Sequence, residues 1–112
     1  MKLNVLERLQ LLQILPKEGN FVTLKIVKTL LNNISIGEKE FKEFDIKQTG
    51  EQLTWNAKGN EDRELEIGEK ATDIIIEVLK KVDKEGKLNN QMLSLYEKFI
   101  KEEWNDYYQR TN

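Results

Sequence analysis

Cysteine and histidine are both absent from this chain of 112 residues. Without cysteine there can be no disulfide and no thiolate metal site. Without histidine there is neither imidazole acid–base catalysis nor the commonest zinc ligand. The six glycines are isolated and mark turns, so the chain has no glycine-rich phosphate loop. These absences leave carboxylate, lysine and tyrosine side chains as the groups to consider for catalysis.

The carboxylates lie in runs that mix both signs of charge. The segments GEKEFKEF and LYEKFIKEEW place glutamate beside lysine on predicted helix surfaces, which is typical of a solvated face. One denser acidic group comprises Glu61, Asp62, Glu64 and Glu66. It lacks the ligand spacing of a calcium loop, and strand alternation directs Glu64 and Glu66 to an outer face. We therefore predict no catalytic residue, no cofactor and no metal site.

The charge balance of 18 basic and 20 acidic residues gives a net charge of -2, so no global field attracts nucleic acid or anionic lipid. With 38% apolar residues, a chain of this length can bury one core, and we predict a single domain over residues 1–112. Polar residues interrupt the apolar start of the chain. We therefore predict neither a signal peptide nor a membrane span, and a cytoplasmic location.

The first third of the chain has helical periodicity. Asn4 and Glu7 have the capping-box spacing at the start of a first helix, and Pro16 ends it because proline is not tolerated inside a helix. Apolar residues at three- and four-residue spacing then predict a second helix over residues 21–32.

A short third helix and then a change of period follow. Ser35 and Glu38 repeat the capping-box spacing and are predicted to start the third helix. From residue 44, apolar and polar side chains alternate on both sides of Gly50, which predicts a β-hairpin that turns there. Residues 63–67 alternate as well, and we predict that they form a third strand paired with the hairpin.

Two helices are predicted to close the chain, one over residues 69–84 and one from Asn89 or Asn90 onward. The predicted fold class is therefore α+β, with about five helices around a small antiparallel β-sheet. Apolar stripes from both halves should meet in one shared core. Its predicted members are Leu9, Leu12, Leu24, Val27, Ile74, Ile75, Val78, Leu79, Tyr96 and Phe99.

The order helix, helix, short helix, hairpin resembles a winged helix-turn-helix. Residues 35–44 then take the position of the DNA-reading helix, with the strands around Gly50 as the wing. A DNA-reading helix presents basic and amide groups, but the charges of this one sum to -1. They belong to Glu38, Lys39, Glu40, Lys42 and Glu43. A winged-helix DNA-binding regulator is the alternative function, and nucleic acid is not the predicted partner.

Three of the nine aromatic residues lie close together near the end of the chain, at Trp104, Tyr107 and Tyr108. Tyrosine and tryptophan are enriched in interaction surfaces because they give a large contact area with few rotatable bonds. One interpretation is that Trp104 continues the stripe of the last helix onto the core. Tyr107 lies off that stripe and is the better candidate for an exposed contact. We predict all three as protein-binding residues, in contact with a partner or within a homodimer.

The stretches LERLQLLQILPKEGNFVTLKIVKTL and LEIGEKATDIIIEVLKKVDKEGKL, with SLYEKFI after the second, cover about half of the chain. They resemble small uncharacterised proteins encoded by phages and prophages of Gram-positive bacteria. The resemblance implies a phage or prophage origin and expression in the bacterial cytoplasm, and it implies no activity. We therefore expect a non-catalytic protein-binding module that engages either a host protein, for instance of the defence machinery, or another phage protein.

Overall fold

The computed structural model of the chain describes residues 1–101, with only the backbone of residue 101. Its class is α+β as predicted, with helices around two small antiparallel pairs of strands. The regular elements are β1 (Lys2–Leu3), α1 (Val5–Ile14), α2 (Phe21–Ile34), α3 (Glu38–Glu43), β2 (Lys47–Thr49), β3 (Gln52–Thr54), β4 (Arg63–Glu64), α4 (Glu69–Lys84) and α5 (Leu93–Tyr96). The predicted fifth helix is one α-helical turn, α5, which continues as a π-helical turn over Glu97–Lys101.

Of the two predicted capping boxes, one is confirmed and one is wrong. At the start of α1, the Glu7 N–H donates to Asn4 Oδ1 and the Asn4 N–H donates to Glu7 Oε1, both over 2.9 Å. Ser35 instead ends α2, where its N–H donates to the carbonyl of Leu31 over 2.9 Å. Because Ser35 belongs to the end of α2, α3 begins at Glu38 with Gly37 as its N-cap residue and without a side-chain cap.

The predicted hairpin is confirmed. β2 and β3 pair antiparallel, with Thr49 opposite Gln52 at the end of the ladder. Gly50 and Glu51 form the loop between them. Gly50 has a φ of 65°, a left-handed conformation that glycine adopts without steric cost and that a two-residue hairpin loop requires at its first position.

The predicted third strand does not pair with the hairpin. Only residues 63 and 64 are extended in a ladder, and β4 pairs antiparallel with β1, where Leu3 lies opposite Arg63. The ammonium group of Met1 adds a bond of 3.0 Å to Glu64 Oε1. A strand of two residues ahead of a helix shows no alternation in the sequence, and for that reason β1 was not predicted as the partner.

One cluster of buried side chains draws on both halves of the chain, as predicted. It consists of Leu3, Leu11, Leu15, Val27, Leu30, Ile34, Ala71, Ile75, Leu79, Leu95 and Phe99. Four predicted core residues are buried in it: Val27, Ile75, Leu79 and Phe99. Three more are partly buried against it: Leu12, Ile74 and Tyr96. Three lie outside it: Leu9, Leu24 and Val78.

Candidate binding groove

Helix α1 carries apolar side chains nearly all round, so its sequence does not single out one face. At about 100° per residue, Arg8 and Leu11 lie on the side that packs on the core, and both are buried. Leu6, Leu9 and Gln13 lie on the opposite side, where Leu6 and Leu9 are half-buried and Gln13 is exposed. Leu9 is therefore on the outer face of α1, and the core face contains charged residues.

Arg8 joins α1 to the end of α2 and to α3. Its side chain is 2% exposed, and its guanidinium donates to both carboxylate oxygens of Glu40 over 2.7 and 2.9 Å. It also donates to the carbonyls of Ile34 and Ser35, each over 2.9 Å. The hydrogen bond from Arg8 and its charge lower the pKa of Glu40 from its ordinary value, against the effect of burial. Four hydrogen bonds from one buried side chain therefore set the position of α3.

A second buried charge on α1, Glu7, holds the C-terminal helical segment. Glu7 is fully buried, and its Oε1 accepts from the Lys98 ammonium over 2.6 Å. Lys98 also donates to Asp62 Oδ1 and to the carbonyl of Lys2, both over 2.9 Å. Burial acts to lower the pKa of Lys98, but the bonds to Glu7 and Asp62 outweigh it and raise the pKa above its ordinary value. Lys98 is therefore charged in the folded protein at neutral pH.

A third ion pair joins the end of α3 to β4. Arg63 forms a bidentate pair with Glu43, with 3.1 Å from Nη1 to Oε2, and its guanidinium carbon lies 4.4 Å from the centre of the Phe44 ring. The hydrogen bond from Arg63 lowers the pKa of Glu43. The Asn56 N–H donates to the Phe44 carbonyl over 2.8 Å, which ties the end of the hairpin to its beginning.

A close approach at Gly59 fixes Trp55 beside α1. Gly59 lies in the 3₁₀ turn Ala57–Asn60, and a Cβ atom there would lie 2.5 Å from Trp55 Cδ1 and 3.2 Å from Val5 Cγ2. Only glycine fits so close to the ring without a shift of its neighbours. The indole N–H of Trp55 donates to Asn60 Oδ1 over 3.0 Å, which fixes the orientation of the ring.

A groove of about 710 Å³ separates the outer face of α1 from β3, and we name it the α1–β3 groove. Its apolar lining is Leu6, Leu9, Leu12, Leu53 and Trp55. Its amide lining is Gln10, Gln13, Gln52 and Gln91. Its charged lining is Lys17 and Glu51. The groove therefore offers apolar contact area together with neutral donors and acceptors, and its charges cancel.

The groove follows the open edge of the hairpin. Gln52 and Leu53 are neighbours in β3, so their side chains point to opposite faces of the hairpin, yet both line the groove. None of the β2 residues Lys47–Thr49, all of which the structure describes, lines it. The groove therefore runs along the edge of β3 that β2 leaves unpaired, and no other strand within residues 1–101 pairs with that edge.

The predicted protein-binding residues Trp104, Tyr107 and Tyr108 lie outside the described residues, so their role stays a prediction. The acidic group near the end of the loop before α4 is dispersed, since Asp62 is bound to a lysine and Glu64 to the N-terminal ammonium. Across residues 1–101 no three carboxylates are placed to hold a metal ion together.

Leu9 was missed as a groove residue because it was assigned to the core, whereas Leu12 both packs against the core and lines the groove. One signal was available in the sequence: α1 has more leucines than a single core-facing stripe uses, while Glu7 and Arg8 occupy positions that a helix period places beside Leu11. Apolar residues on more than one face are typical of a helix with two contact surfaces.

Comparison of the chain with protein-family models, with curated proteins and with solved structures found no match. Within residues 1–101, no helix combines the length and the apolar composition that crossing a bilayer requires. A proposal about function must therefore be based on the geometry of the groove.

Proposed function

We propose that this chain is a non-catalytic protein-binding module and that the α1–β3 groove is its binding site. One observation carries the proposal. Leu6 and Leu9 lie across a groove from the edge of β3 that no strand of the described part of the chain pairs with, on the side of α1 that the core does not use. Sites for partners combine apolar area with a small number of polar groups that fix orientation, and this groove has both.

The ion pairs around the groove support the proposal because they hold its two walls in place. Arg8 fixes α1 against α3 through Glu40, and Arg63 fixes the hairpin end of α3 through Glu43. A site whose walls are held in this way loses little conformational entropy when a partner binds.

The resemblance to phage-encoded proteins makes host and phage proteins the first partners to screen, in the bacterial cytoplasm. Trp104, Tyr107 and Tyr108 remain part of the proposal as a second contact region. A homodimer built through either region is the alternative form of the interaction, and sedimentation of the purified chain at several concentrations distinguishes it from binding to another protein.

The test uses Leu9→Asp with Phe21→Asp as its matched control. Leu9 lies in the groove outside the core, whereas Phe21 is 78% exposed on α2 and away from the groove. Tagged wild type and both variants are used to capture proteins from host and phage-infected lysates, and each captured protein is then purified and its Kd measured. Thermal melts establish that both variants are folded.

We expect a protein that binds the wild type and Phe21→Asp but not Leu9→Asp. Because an aspartate at position 9 places an unpaired charge against the apolar lining, the loss should exceed tenfold in Kd, which corresponds to about 1.4 kcal/mol. If the wild type, Leu9→Asp and Phe21→Asp captured the same partner equally well, the groove would not be the binding site.

A second candidate function is a winged-helix DNA-binding regulator, and one observation favours it. Glu40 and Glu43 of α3 are each neutralised by an arginine of another element. The charges of α3 that remain exposed to solvent are Glu38, Lys39 and Lys42, which sum to +1 instead of the -1 counted from the sequence. Fluorescence anisotropy with duplex DNA between about 50 and 200 mM salt tests it, and absence of binding at the lower salt concentration would exclude it.

A further inference from the structure

We infer that the occupant of the α1–β3 groove is an extended peptide strand that adds to the open edge of β3, an inference that rests on the proposed function. An unpaired sheet edge presents N–H and C=O groups in a row, and another extended backbone pairs with both kinds in register. In this mode of recognition the backbone supplies affinity, and pockets for alternate side chains supply specificity.

The register of the hairpin determines which backbone groups face the groove. Thr49 and Gln52 close the two-residue loop, and such a closing pair exchanges hydrogen bonds. Bonded and non-bonded pairs alternate in an antiparallel ladder, so the next pair, Gln48 and Leu53, does not exchange them. The N–H and C=O of Leu53 therefore point away from β2 toward the groove, and those of Gln48 point to the opposite edge.

The walls of the groove suit the side chains of an added strand. Leu6, Leu9 and Trp55 give an apolar surface for every second side chain, while Gln13 and Gln52 carry amides that both donate and accept. The stretch of α1 from Leu6 to Gln13 is about 10 Å long at 1.5 Å per residue, and an extended strand covers that length in about three residues. A short segment of a partner therefore fills the groove.

The charge of the groove complements an uncharged segment. Lys17 and Glu51 cancel, and every other lining side chain is neutral. A nucleic acid needs several cations against its phosphates, and the lining supplies one lysine. A helix bonds its own backbone internally and so leaves the edge groups of Leu53 without partners. These features favour an extended, uncharged segment with apolar side chains at alternate positions.

The experiment selects peptides from a phage-displayed library of random linear sequences, about twelve residues long so that each exceeds the groove. Selection uses the wild type alone. The Kd of each enriched peptide is then measured against Leu9→Asp, Leu53→Ala, Leu53→Pro and Gln48→Pro. Both substitutions of Leu53 remove its side chain, but only proline removes the N–H that faces the groove. Gln48→Pro is the matched proline on the far edge of the same hairpin.

We expect enriched peptides with alternating apolar residues that bind Leu53→Pro at least about tenfold more weakly than Leu53→Ala. Gln48→Pro should bind them like the wild type. In the wild-type complex, amide hydrogen exchange at Leu53 should slow markedly on peptide binding. That measurement decides the question if Leu53→Pro fails to fold, since unchanged exchange at Leu53 overturns strand addition.

The remaining outcomes separate this inference from the proposed function. Peptides that require Leu9 but bind Leu53→Ala and Leu53→Pro equally overturn strand addition and leave the groove as a binding site. If no peptide is enriched, the inference is also overturned. A partner that is captured from lysate and depends on Leu9 would then bind the groove through a folded surface and not through an extended segment. Peptides that bind Leu9→Asp as well as the wild type overturn the proposed function itself.

Discussion

The two faces of α1 differ in a way that reverses the usual expectation for an amphipathic helix. The core side carries two charged residues, Glu7 and Arg8, both almost completely buried. The outer side carries Leu6 and Leu9, both only half-buried and lining a groove. Charges are tolerated inside because each is bonded to an opposite charge and to backbone groups, which offsets part of their desolvation.

The comparison teaches that polarity alone does not identify the buried face of a short helix in a small protein. On α1 the charged residues make the contacts that orient distant segments, whereas Leu6 and Leu9 of the same helix line the groove. A buried ion pair is weak evidence for net stability, but loss of one of its members is costly. The two faces should therefore respond very differently to substitution.

The largest expected effect is that of Arg8→Met on the core face. The change leaves Glu40 and the carbonyls of Ile34 and Ser35 without their donor, at a side chain that is only 2% exposed. We expect a loss of about 3–5 kcal/mol in the free energy of unfolding, measured by urea denaturation. The double variant Arg8→Met with Glu40→Met should recover a large part of that loss. A loss below about 1 kcal/mol, typical of a surface ion pair, would show that the pair is solvated.

The next effect tests the apolar part of the same face. Leu11 is fully buried in the cluster shared by both halves of the chain. Leu11→Ala should lower the free energy of unfolding by about 2–5 kcal/mol, because it removes buried methyl groups and leaves a cavity. Leu79→Ala on α4 is the matched control, since Leu79 is equally buried in the same cluster. If only one of the two variants is destabilised, the halves do not share a core.

The pH dependence of the free energy of unfolding should reflect the ion pairs Arg8–Glu40 and Arg63–Glu43. The pKa of Glu40 and that of Glu43 are lowered in the folded protein, in each case mainly by the hydrogen bond from the arginine. A lowered pKa contributes stability that is fully present above the unfolded value of about 4.3 and is lost as the pH falls through the folded value. The urea concentration at the unfolding midpoint should therefore decrease as the pH is lowered below about 4.3.

Glu40→Gln provides the matching measurement for that pH dependence. The glutamine cannot ionise, so the difference in stability between wild type and variant should shrink as the medium becomes more acidic. A difference that stays constant from neutral to acidic pH would mean that the Arg8–Glu40 pair does not contribute through the charge of Glu40.

Local patterns predicted a large part of the fold from the sequence. The cap at Asn4, the hairpin turn at Gly50 and the apolar stripe of α4 each depend on residues close together in the chain. The ion pairs could not be predicted in this way, because Arg8 and Glu40 are 32 residues apart and Glu7 and Lys98 are 91 apart. The α1–β3 groove depends on which face of α1 those pairs hold against the core, so it was missed together with them.

The smallest expected effect on stability, and the sharpest test of the comparison, is that of Leu9→Ala. If Leu9 faced the core, as its helical spacing predicted, its truncation would cost about as much as that of Leu11, or about 2–5 kcal/mol. Because Leu9 is half-buried on the outer face, we expect about 1 kcal/mol or less, measured by urea denaturation under the same conditions as Leu11→Ala. The same variant should weaken binding of any partner that uses the groove, since Leu9 is part of its apolar lining. Stability close to that of the wild type together with weakened binding identifies a contact residue. A loss of stability equal to that of Leu11→Ala would instead place both faces of α1 in the core and remove the physical basis for the groove as an interaction surface.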